Sequence, residues 1–174
     1  MPFLEKSQMT YSIIGVLASI ILLIINRDVL WSSDGGLSPI RRNYRLFLMG
    51  VMAYYLTDML WGILEQHRLT TLLYADTMVH FVAMAAAVML WTRYAVSYLG
   101  KRDAFGSALY RAGFLFFVFA AAAIAVNVFY PVMFWFDDSG AYHAGLARYL
   151  LLAIQILLFL LTSVCTLFFT FRTE

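Results

Sequence analysis

Between Ala147 and Phe171 the chain carries one charged side chain, Arg148. A helix needs roughly 20 mostly apolar residues to cross the hydrocarbon layer of a bilayer. Four other stretches are comparably apolar, at about 10–26, 46–65, 72–95 and 109–134. They are too long and too continuous for the period-two alternation of barrel strands. In lipid the backbone must satisfy its own hydrogen bonds, which leaves helices. The rest of the composition agrees, with 63% hydrophobic and 13% charged residues, where a soluble domain is about 45–50% apolar and about 25% charged. The expectation is an all-α integral membrane protein: one transmembrane domain over residues 1–174, a five-transmembrane-helix bundle with spans at about 10–26, 46–65, 72–95, 109–134 and 147–171.

The basic residues set an orientation. Arg27, Arg41, Arg42 and Arg45 follow the first span; Arg93, Lys101, Arg102 and Arg111 flank the turn after the third. The other two connections hold Arg68 alone and Arg148 beside Asp137 and Asp138. Short cytoplasmic loops carry the excess of Lys and Arg, so the N-terminus is expected outside and the C-terminus, with Arg172, in the cytoplasm. Trp31, Trp61, Trp91 and Trp135 fall near span ends, as in an interfacial aromatic belt. Glu5 and Lys6 precede the first apolar run, which lacks a small-residue cleavage site, so no cleavable leader is expected.

Against this topology the polar residues inside the spans gather in the outer half. Tyr54, Asp58, Trp61 and Glu65 recur at i, i+4, i+7 and i+11, one face of a helix. Asp76 and His80 share a face of the third span, Asn127 lies in the outer part of the fourth, and Gln155 about two turns into the fifth. The inner stretches 83–90 and 114–126 are almost purely apolar. Ionisable groups in spans usually face the bundle or a water-filled cavity and mark functional sites. The expected site is an outward-facing cavity using Asp58, Trp61, His80, Asn127 and Gln155, with Tyr54 and Tyr142 as aromatic walls and the aromatic-acidic loop 135–145 as a cap. The competing reading makes Asp58 neutral and hydrogen-bonded across helices, Asn127, Gln155 and His80 interhelical hydrogen-bonders, Glu65 and Asp76 interfacial groups at helix ends, and Tyr142, His143 and Tyr149 belt residues.

Several chemistries lack their residues. His67, His80 and His143 show no metal-ligand spacing, and only His80 is in a span, so neither a metal nor haem is expected. No nucleophile elbow or phosphate loop occurs; Gly35 and Gly36 lie in a polar turn, and Cys165 is alone. A net charge of +2 gives no reason to expect nucleic acid. An enzyme built on Asp58 and His80 has no nucleophile or metal set, and a transporter would need a polar path through the inner halves.

The blocks 54–65, 74–99 and 134–168 resemble the N-terminal multispanning region that precedes GGDEF diguanylate cyclase domains and related sensor kinases in bacteria. The resemblance implies a sensory input domain in the bacterial inner membrane. Its partners would be lipid, a small or lipid-like ligand, and a second copy recruited through a cytoplasmic output domain. Such regions generally continue for further spans, whereas this chain stops soon after the fifth and has no GGDEF sequence, so no catalytic residue and no cofactor is carried over. The alternative is a small transporter or a subunit of a membrane complex.

Overall fold

The computed structural model describes residues 2–32, 38–100 and 104–171, with side chains from residue 14 to residue 168 within those ranges. The polar turn at Gly35 and Gly36, the cations Lys101, Arg102 and Arg172, and the side chains of the first span before Ile14 lie outside the described residues. The order is α1 (Pro2–Ile25), α2 (Arg27–Leu30), α3 (Pro39–Gln66), α4 (Thr70–Tyr98), α5 (Ala104–Asn127), β1 (Phe134–Phe136), β2 (Tyr142–Ala144) and α6 (Leu146–Phe171). Four of these, α3 to α6, are long and apolar enough to cross a membrane, which makes an all-α membrane bundle. Within α1 the described apolar part is the shorter Ile14–Ile25.

The helices reach beyond the apolar runs where capping chemistry carries them. Helix α3 begins at Pro39 rather than near residue 46, because Ser38 caps it by accepting the Arg41 N–H and proline suits the first helical position. It ends in a Schellman turn, with Arg68 N–H on the Glu65 carbonyl and Leu69 N–H on the Leu64 carbonyl, both at 3.0 Å. Arg68 holds the left-handed position of that turn, at φ 53°.

The fourth span was expected to reach residue 134, but α5 stops at Asn127. Pro131 cannot continue a helix and pushes the preceding residue towards extended backbone. The Asn127 side chain then takes over the bonding. Its Oδ1 accepts Met133 N–H at 2.7 Å and Phe134 N–H at 3.1 Å, while Nδ2 donates to the Phe134 carbonyl at 3.0 Å. The expected loop is consequently an antiparallel hairpin, with Phe134 opposite Ala144 and Phe136 opposite Tyr142. Its tip is organised by Asp137, whose Oδ1 accepts Ser139 N–H at 2.9 Å and Ala141 N–H at 3.0 Å. Gly140 supplies the left-handed residue there, at φ 81°. At the hairpin base Gly145 donates to the Met133 carbonyl at 2.7 Å, and Ala147 to the Val132 carbonyl at 3.1 Å. A side chain at Gly145 would collide with that Val132 carbonyl.

Helix α4 is the most buried, packed on α3, α5, α6 and the hairpin, while α1 lies against α3. The core runs from Phe81, Ala85 and Val88 of α4 through Phe116 and Ala120 of α5 to Leu151 and Leu158 of α6. Met133 and Phe134 of the hairpin plug its end and are fully buried. Away from the hairpin, small residues let backbones close up. A Cβ on Gly113 would strike the Thr92 side chain, and one on Gly50 would meet the Ala87 backbone at 3.4 Å. Between apolar helices in lipid such packing, with interhelical hydrogen bonds, is what drives association.

Candidate ligand cavity

Two polar rungs tie α3 to α4 near the hairpin. Thr57 Oγ1 donates to the Tyr54 carbonyl at 2.8 Å and meets His80 Nδ1 at 3.1 Å. The hydroxyl has one proton, shared between the backbone carbonyl and the ring as possible acceptors, and the tautomer of His80 follows from which of them receives it. Trp61 Nε1 donates to Thr77 Oγ1 at 3.2 Å, and Thr77 returns its proton to the Leu73 carbonyl at 2.7 Å. These rungs fix the ring planes of Trp61 and His80.

In front of them opens a cavity of about 390 Å³, inside the 300–1,000 Å³ range typical of small-molecule sites. Tyr54, Asp58 and Trp61 line it from α3; Thr77, His80, Phe81 and Met84 from α4; Arg148 and Leu152 from α6; Tyr142 from the hairpin. Among the described residues α3 and α6 scarcely touch, so the cavity occupies the gap between them with α4 as its floor. The Tyr54 and His80 rings lie 4.7 Å apart, and Trp61 meets Tyr142 edge-on at 6.4 Å. At the rim the Arg148 guanidinium sits over the Tyr142 ring, 5.2 Å from its centre. Burial pushes the Tyr142 phenol up from its ordinary pKa, against the pull of Arg148, so it is a neutral hydrogen-bonding group at pH 7.

Five of the seven expected residues, Tyr54, Asp58, Trp61, His80 and Tyr142, are brought together here. Asn127 is not; it is 3% exposed, holds the base of the hairpin and borders a separate hollow with Thr70, Tyr74 and Pro131. Gln155 is also outside the lining, although Arg148, Leu152 and Gln155 at i, i+4 and i+7 share a face of α6. Its buried Oε1 has no hydrogen-bond partner among the described residues. Asp76, buried next to Thr77, is likewise unpartnered at Oδ2. Trp61 and Trp91 are interhelical donors; Trp91 Nε1 bonds Thr162 Oγ1 at 2.8 Å.

The sequence reading missed Thr77, Phe81, Met84, Arg148 and Leu152. The α4 members were findable, because 77, 80, 81 and 84 follow the i, i+3, i+4, i+7 spacing of one helix face. Arg148 was used only as a topology signal, although a lone cation in the first turn of the most apolar helix is itself a site marker.

Electrostatically the site is divided. Asp58 lines the cavity from α3 and Arg148 from α6. Among the described residues no ion pair joins them to each other. The Asp58 carboxylate also faces α1, where a methyl at Gly15 would lie 3.7 Å from Oδ2. Among the described residues no group of three or more His, Cys, Asp or Glu side chains is placed to hold a metal ion. Compared with protein-family profiles, curated proteins and solved structures, the chain matches none.

Proposed function

We propose that this chain is a membrane-embedded input module that binds a small or amphipathic ligand in the cavity between α3, α4 and α6. The observation that carries the reading is the pair Asp58 and Arg148, opposite charges facing one aromatic-walled space without touching. Charges inside a span are costly unless paired or solvated, so groups held this way are functional by default. In this reading α1 is a fifth span, the hairpin end faces outward, and the membrane is the bacterial inner membrane, in keeping with the charge bias of the connections. Binding shifts the packing of α6, because a ligand must favour one of two helix arrangements to transmit anything. The signal passes to a cytoplasmic output domain of the diguanylate cyclase kind. The tight contacts at Gly50 and Gly113 in the opposite half support binding over passage through the bundle.

Site-directed labelling tests both cavity and orientation. In a Cys165→Ser background, Asp58→Cys should react with a membrane-impermeant maleimide added outside intact cells. Labelling only after the cells are opened would overturn the outward orientation, and no labelling at all would overturn the cavity. Solute flux through the purified chain in proteoliposomes would replace the sensor with a transporter. The reading frame beyond Glu174 tests the output: a cyclase or kinase domain supports it, and a stop codon removes it.

A further inference from the structure

We propose that the cavity takes a small zwitterion, with its amine or quaternary ammonium against Asp58 inside the aromatic walls and its carboxylate or phosphate at Arg148. This rests on the reading of the cavity as a ligand site and goes further by naming the ligand's chemistry. A net-charged ligand would leave either Asp58 or Arg148 uncompensated in a low-dielectric space, and a neutral apolar one would leave both. Only a molecule carrying both signs satisfies both walls. The rings favour the cation at the deep end, because aromatic faces attract ammonium groups and Tyr54 and His80 converge beside Asp58. In the tautomer in which Nδ1 donates to Thr57, His80 adds an acceptor on the same side through Nε2. The mouth has the opposite character, with the Arg148 and Tyr142 donors together.

Depth separates two sources of such a ligand. At 1.5 Å per residue Asp58 lies about 12 Å inside the hairpin end of α3, and Arg148 about 3 Å inside the start of α6. The cation site is therefore deep and the anion site shallow. A phospholipid in the adjoining leaflet presents the reverse order, with phosphate nearer the hydrocarbon than the amine. The arrangement points to a water-borne solute entering cation first.

The test is titration calorimetry on the full chain in phosphatidylglycerol nanodiscs, with glycine betaine, choline and acetate as probes. Betaine should bind about tenfold more tightly than choline or acetate. Asp58→Asn should weaken betaine and choline alike, Asp58→Glu should retain both, and Arg148→Gln should weaken betaine while leaving choline unchanged. Each variant is first checked for a monodisperse, thermally unchanged particle, so loss of binding is not loss of fold. Unchanged betaine binding in Asp58→Asn, acetate binding more tightly than betaine, or no binding by any probe would overturn the zwitterion. In the last case, outside labelling of Asp58→Cys shows whether the cavity itself survives. Repeating the titration in phosphatidylcholine nanodiscs separates the sources: undiminished betaine binding supports the free solute, and competition supports the same chemistry on a lipid headgroup.

Discussion

The same hydrogen bond occurs in both halves of the bundle with different results. Near the hairpin, Trp61 of α3 donates to Thr77 of α4; in the opposite half, Trp91 of α4 donates to Thr162 of α6. Each threonine passes its own proton back to its own helix, Thr77 to Leu73 and Thr162 to Leu158. In the opposite half Trp91 is itself packed among rings, 5.2 Å from Phe47 and 6.1 Å from Phe159, and beside it Gly50 and Gly113 let α3 and α5 close on α4. In the hairpin half Met133 and Phe134 are wedged into the end of the core and bulky rings line α3 and α4. There the bond holds two ring-bearing helices at the edge of a gap. Polar bonds therefore tie neighbouring helices in both halves, and the close helix–helix glycine contacts lie only in the half away from the cavity among the described residues.

Adding bulk is the strongest way to break the comparison. Gly113→Val should cost about 3 kcal/mol by unfolding in mixed micelles, because its side chain meets Thr92. Leu152→Phe, which adds bulk into the cavity, should change stability by less than about 0.5 kcal/mol. Equal costs would mean the two halves are packed alike. Removing the wedge's anchor comes next: Asn127→Leu strands the buried Met133 and Phe134 N–H groups and should cost about 2 kcal/mol. Its larger signature is faster amide exchange across residues 133–145. The two tryptophan bonds should be matched in stability, with Trp61→Phe and Trp91→Phe each losing about 0.6 kcal/mol. Only Trp61→Phe should alter ligand binding; an equal binding loss in Trp91→Phe would erase the division. Arg68→Gly relieves the left-handed residue between α3 and α4 and should gain about 0.5 kcal/mol in the same unfolding assay.

The smallest effect concerns pH at the hairpin tip. Asp137 is held well below the ordinary carboxylate range, first by its bond to His143 and then by Ser139 and the Ala141 backbone. A carboxyl depressed on folding contributes fully above its unfolded value, about 3.9, and loses that contribution as pH falls towards the folded value. The loss of the Asp137 contribution should therefore set in below about pH 4, read as amide exchange in residues 137–143 once intrinsic rates are divided out. Below that pH exchange should rise. Asp137→Asn should raise it modestly at neutral pH as well.

The helices of this bundle were legible because span length and backbone satisfaction admit few alternatives. The face carrying Tyr54, Asp58 and Trp61 was legible for the same reason, since helical spacing fixes which residues point together. Asn127 was harder. A buried amide at a helix end can line a cavity or bind a loop, and only the position of Met133 and Phe134 decides. The hairpin escaped because its short strands follow directly on an apolar run, so Tyr130 and Pro131 read as the tail of a helix. Arg148 escaped because its partner across the cavity lies ninety residues away in sequence on a helix that α6 barely meets.

The backbone contact at Gly145 has a mechanical consequence. With Gly145 and Ala147 both donating to the strand-side carbonyls of Met133 and Val132, there is no slack between the hairpin and the first turn of α6. Tyr142 is thus tied to the first turn of α6 through the backbone. In the proposed input module, a ligand that displaced Tyr142 would therefore pull directly on the start of α6.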